Sequence, residues 1–97
     1  MTQIPVDCYI CEKKDKSQTR CQVGFNYDGK RRGYKRVSEG PASAAHVRKL
    51  KALMMHDLKA IAAVAGWRDV HFFWSKNKPR PFLPDRFRLG DCEFVAR

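Results

Sequence analysis

Between Gly40 and Gly66 the sequence has the period of one long amphipathic helix, and no other stretch repeats it, so that helix has only a sheet to bury its apolar side against. Val47, Leu50, Met54, Leu58, Ile61 and Ala65 recur at spacings of three and four, which stacks them in a stripe about 80° wide at about 100° per residue. Leu53 and Val64 widen the stripe, and Arg48, Lys49, His56 and Lys59 gather on the opposite arc. Pro41 suits a first helical turn, which needs no N–H from it, and Gly66 is a natural terminator. A helix is therefore predicted from Pro41 to Ala65.

The sheet is built around a turn. Cys21, Val23, Phe25 and Tyr27 alternate with Arg20, Gln22, Gly24 and Asn26, and Asp28-Gly29 then supplies the two positive φ values of a type I′ hairpin. On a two-residue turn the return strand, Lys30 to Ser38, sets Lys30 against Tyr27, Arg32 against Phe25, Tyr34 against Val23 and Arg36 against Cys21. A longer loop would put Arg31, Gly33, Lys35 and Val37 on that face instead. Either register is too basic for a central strand, which places this one at a sheet edge. Further strands are predicted over residues 5 to 13, before a polar turn at Lys14 to Thr19, over the aromatic run Asp69 to Ser75, and over Asp91 to Val95 with Cys92 and Phe94 on one face. Pro79, Pro81 and Pro84 exclude regular structure from most of residues 76 to 85. The order β-β-β-α-β-β predicts an α+β fold, a single antiparallel sheet of four to five strands packed on one long helix, in a single domain over residues 1 to 97.

Twenty Lys and Arg against ten Asp and Glu give a net charge of +10 in 97 residues. Nine basic and five acidic side chains precede residue 42 and eleven and five follow it, so the excess belongs to the whole fold and not to a tail. Such a surplus repels itself, and an anionic partner would relieve that repulsion. Hydrophobic residues at 43% and aromatics at 11% supply enough apolar side chain for one packed core. No apolar run approaches the roughly 18 residues of a membrane span, and the N-terminus has no signal-like apolar segment. The expectation is a cytoplasmic protein with reduced cysteines and no membrane partner.

Catalytic patterns are lacking. His46, His56 and His71 have no nucleophile elbow or paired metal motif around them, and the carboxylates are scattered singly, so no enzymatic activity and no cofactor are expected. Cys8-x2-Cys11 has the spacing of a zinc knuckle, to which Cys21 and then His46 or Cys92 would add ligands. In a strand, however, Cys8 and Cys11 point to opposite faces unless a bulge intervenes. Buried thiols are the default reading and a small zinc-stabilised domain the alternative.

Nucleic-acid contact draws on two basic clusters interleaved with aromatics. The first is Lys30, Arg31, Arg32, Lys35 and Arg36 with Tyr34, and the second is Lys76, Lys78, Arg80, Arg86 and Arg88 with Trp74, Phe82 and Phe87. Lys and Arg neutralise phosphates and release counterions, and aromatic or guanidinium planes stack on bases.

Two family resemblances follow from these residues. Tyr27-Asp28-Gly29-Lys30-Arg31-Arg32 with Tyr34-Lys35-Arg36 before a helix resembles the arm-type DNA-binding domain of phage integrases, which implies a free-standing DNA- or RNA-binding accessory module. The wider layout is similar to that of small phage-encoded anti-CRISPR proteins that inhibit type I surveillance complexes: a hairpin turning at Asp28-Gly29-Lys30, one alanine-rich helix, an exit through Trp67 into an aromatic strand, and Asn77-Lys78 followed by Phe82-Leu83-Pro84-Asp85-Arg86. That resemblance implies a non-enzymatic phage or mobile-element inhibitor docking through a basic face onto a nucleic-acid-loaded complex in the host cytoplasm. A net charge of +10 excludes the acidic DNA-mimic mechanism many such inhibitors use.

Overall fold

The computed structural model describes residues 1–76 and 83–97. Six strands and one helix follow one another as β1 (Thr2–Lys13), β2 (Gln18–Tyr27), β3 (Lys30–Glu39), α1 (Ala44–Ala65), β4 (Val70–Trp74), β5 (Arg86–Leu89) and β6 (Cys92–Ala96). The fold is α+β, one sheet in the order β3-β2-β1-β6-β5 with β4 also paired to β1. Every pairing is antiparallel except β1 with β4, which is parallel.

β1 organises the sheet. The amides of Ser75 and Arg97 donate to the carbonyls of Val6 and Cys8, two residues apart, so β4 and β6 lie end to end on one edge of β1 while β2 takes the other. The alternation turns the backbone of Pro5 toward the β2 side, where pairing starts only at Asp7. A proline in a central strand therefore removes no ladder hydrogen bond.

The Asp28-Gly29 turn forms as its residues dictate, with φ of 53° and 72°, and Tyr27 pairs with Lys30. A second two-residue turn, Gly90-Asp91, joins β5 to β6 and adds a strand beyond the five expected. Between β3 and α1, the fully buried Thr19 hydroxyl donates to the Gly40 carbonyl at 2.7 Å.

The helix starts at Ala44 and not at Pro41, because Ser43 is the better cap: its hydroxyl accepts the His46 N–H at 3.2 Å. It ends at Gly66, φ 77°, whose amide bonds back into the last turn. Its buried row is Leu50, Met54, Leu58 and Ala62, a strict four-residue repeat that slants across the sheet. The expected row through Ile61 and Ala65 is thereby corrected. Leu53, Ile61 and Val64 are exposed, Val64 at 92%.

Helix-face residues Ile4, Val6, Cys8 and Ile10 of β1, Cys21, Val23 and Phe25 of β2, and Phe72 of β4 close the main core against α1. Trp67 caps it, stacked on Tyr27 at 4.4 Å and edge-on to Phe25 at 6.1 Å. Tyr9, Cys11, Cys92 and Phe94 form a second, smaller core on the other face, covered by Phe87 and Leu83. Both faces of the sheet thus carry apolar packing, where covering of one face was expected.

Candidate nucleic-acid interface

Strand alternation breaks up the first basic cluster. Arg32, Tyr34 and Arg36 pair with Phe25, Val23 and Cys21 and so turn to the helix side. The Arg32 guanidinium lies 4.6 Å over the Trp67 ring, and Arg36 Nη1 meets Asp57 Oδ2 at 2.5 Å. The Tyr34 hydroxyl donates to the same carboxylate. That bond, with Arg36 second, holds Asp57 below the usual carboxylate range. Arg31 points to the opposite face, crosses β2 at Gly24 and reaches Asp7 at 3.3 Å. Gly24 is what permits the crossing, since a Cβ there would stand 2.3 Å from Arg31 Nη2. Lys30 and Lys35 are exposed and make no ion pair among the described residues. Three of the five cations are thus committed to holding β3 on the fold.

The second cluster leads to a larger gathering. Lys78 and Arg80, with Phe82, lie outside the described residues, and Lys76 is exposed just beyond β4. Arg86 and Arg88 pair across from Val95 and Glu93, on the helix side of the sheet. Beside them the structure brings Lys13 from the end of β1, Lys14 and Lys16 from the β1–β2 turn, Arg97 after β6, and Arg48 and Lys51 from α1. These eight cations line two adjoining clefts of about 340 and 320 Å³ that share Ala42 and Arg97. Among the described residues only Glu12, Asp91 and Glu93 oppose them in this lining. Glu12 accepts the Ala42 N–H, and Glu93 pairs with Arg86 at 3.3 Å. The N-terminus of α1 opens beside the second cleft with no acidic residue in its first turn, so the helix dipole adds positive potential. Lys51 is fixed 5.2 Å over Trp74.

This trough can hold an extended polyanion by phosphate contacts. The sequence pattern points to Arg86 and Arg88, but there Lys13 reads as the end of a strand and Lys14 and Lys16 as a plain polar turn. The signal was there: three lysines in four residues, at the point where a hairpin must project from the sheet.

The cysteines separate as strand alternation requires. Cys8 and Cys21 lie in the main core, while Cys11 and Cys92 lie in the second, where their thiols share a hydrogen bond. The candidate zinc set of Cys8, Cys11, Cys21 and His46 is therefore divided by the sheet. Among the described residues no three His, Cys, Asp or Glu side chains converge on a point where they could hold a metal ion. His46 and His56 are on α1 and His71 on β4, with His56 85% exposed and 4.0 Å from Asp57.

Burial pushes the Cys8 thiol up to about 11, and burial followed by the bond to Cys92 pushes Cys11 up to about 12, from an ordinary 9.0. A folded value raised above the unfolded one gives stability that is complete below pH 9.0 and drains away as pH rises toward 11. Tyr34, raised first by burial and then by its bond to Asp57, acts in the same sense. The urea midpoint is expected to hold steady up to pH 9.0 and then fall, and an unchanged midpoint at pH 10.5 would contradict the buried thiols.

No helix among the described residues is long and apolar enough to cross a membrane. Comparison with known proteins gives no match, whether to a family model, a curated protein or a solved structure.

Proposed function

We propose that this protein is a non-enzymatic binder that docks through its basic trough onto a nucleic-acid backbone, free or held within a protein complex. One observation carries the reading: four separate chain segments deliver eight cations to one concave surface where three carboxylates oppose them. Among the described residues, Arg86 and Lys51 are the only ones of these cations whose side chains make an ion pair or a cation–π contact. A surplus of like charge on a surface repels itself, and phosphates would relieve it. The resemblance to anti-CRISPR inhibitors suggests a surveillance ribonucleoprotein in the host cytoplasm as the place where that backbone is met.

Fluorescence anisotropy with labelled single-stranded and duplex oligonucleotides across a salt series tests this. With about five phosphates engaged, duplex affinity should fall roughly 500-fold between about 50 and 200 mM salt, because log K drops about 0.9 per phosphate for each decade of salt. A slope below about 1 on naked DNA and RNA alike would remove direct backbone binding. Binding to the loaded complex alone would assign the docking to its protein surface.

A further inference from the structure

The sheet ends at β3, and this edge is unusual for its length and regularity. Ten residues pair with β2 without a break from Gln18–Glu39 to Tyr27–Lys30, and β3 contains no proline or bulge. The two-residue turn makes Tyr27–Lys30 a hydrogen-bonded pair, so the amides of Arg31, Gly33, Lys35, Val37 and Glu39 point away from the sheet. A row of free donors and acceptors is a template for one more strand.

Above that row lies an apolar flank of α1. Asp57 marks the side of the helix that faces β3, since it holds Tyr34 and Arg36. Leu53, Ile61 and Val64 stand four before, four after and seven after Asp57, on the same side. They are 37%, 38% and 92% exposed, three large apolar residues that the fold itself leaves uncovered. A strand added to β3 would sit about 4.8 Å outward and bring every second side chain under that flank.

Charge selects the occupant. β3 carries Lys30, Arg31, Arg32, Lys35 and Arg36 against Glu39. A second copy paired through the same edge would set these cations against each other, which disfavours self-association. We propose that β3 receives an extended acidic segment of a partner protein as an added strand. Its apolar residues alternate onto Leu53, Ile61 and Val64, and its carboxylates lie on the opposite face beside Lys35. β3 and β5, which brings Arg86 and Arg88 to the trough, are the two opposite edges of the sheet, so a protein strand and a nucleic acid can be held together.

The probe is an end-blocked peptide of about ten residues alternating valine and glutamate, with a valine–lysine peptide as control, read by amide exchange on the labelled protein. At millimolar acidic peptide, exchange at Arg31, Gly33, Lys35 and Val37 should slow about tenfold or more, and the lysine peptide should leave it unchanged. Lys35→Pro removes the central outward donor while sparing the bonds to β2, so it should abolish the slowing; Lys35→Ala, which keeps the N–H, should retain most of it. Val64→Asp, at a site too exposed to matter for folding, should weaken binding about tenfold by opposing the acidic strand and removing an apolar contact. No slowing with either peptide, equal slowing with both, or equal binding by Lys35→Pro and Lys35→Ala would overturn the proposal.

Discussion

Leu58→Ala is expected to lower the unfolding free energy by about 2 to 5 kcal/mol, the usual cost of a cavity at a buried leucine. Leu58 is fully buried at the middle of the row from Leu50 to Ala62, over strand residues that are themselves closed to solvent. Neighbours so tightly packed have little room to collapse into the space, which favours the upper part of that range. For a domain of this size each kcal/mol moves the melting point by about 4 to 8 °C, so the effect should exceed about 8 °C. Val64→Ala serves as the control. On the apolar pattern of the sequence Val64 belongs to the same stripe, yet at 92% exposure its loss should change stability by less than about 0.5 kcal/mol. Denaturant titration of the two variants measures both. Equal losses would mean that the helix is rotated away from the position described.

That contrast marks where sequence reading stops. Elements set by local chemistry were legible: the Asp28-Gly29 turn needs two positive φ values, Gly66 ends the helix in the left-handed region, and the β2–β3 register follows from the turn length. The rotation of α1 was not, because Ile61 and Leu58 are equally apolar and only the slant of the helix on the sheet separates them. β5 was missed because Arg86 to Leu89 alternates over only four residues, too few to stand out after Pro84. It becomes a strand by pairing through Gly90-Asp91 and by stacking Phe87 on Phe94 at 5.2 Å. The basic site suffered most. Linear clusters register cations that are neighbours in the chain, whereas the trough draws Lys14, Lys51, Arg88 and Arg97 from segments far apart in it. β3 misled in the opposite way, since adjacent residues of a strand face opposite sides and its arginines were parted by the same alternation that orders the core.

Neutralising the trough and neutralising β3 should therefore have opposite consequences. Lys14→Gln, Lys16→Gln and Arg88→Gln together remove three exposed charges from the trough. If each meets one phosphate, the salt slope on duplex DNA should drop by about 2.7 and affinity at about 0.1 M salt by roughly 500-fold. Stability should stay within about 0.5 kcal/mol, because none of the three makes an ion pair among the described residues. Arg31→Gln, Arg32→Gln and Arg36→Gln remove the same charge from β3 but also the stacking on Trp67 and the partners of Asp57 and Asp7. Cation–π contacts alone contribute about 0.5 to 2 kcal/mol, so this triple variant should melt measurably earlier while keeping its salt slope. Anisotropy and thermal melts on the two variants separate the cases. Should the β3 variant lose oligonucleotide binding at full stability while the trough variant keeps it, the site would belong on the strand. In a chain of net charge +10, such a result would mean that the ion pairs of β3 open when the nucleic acid arrives.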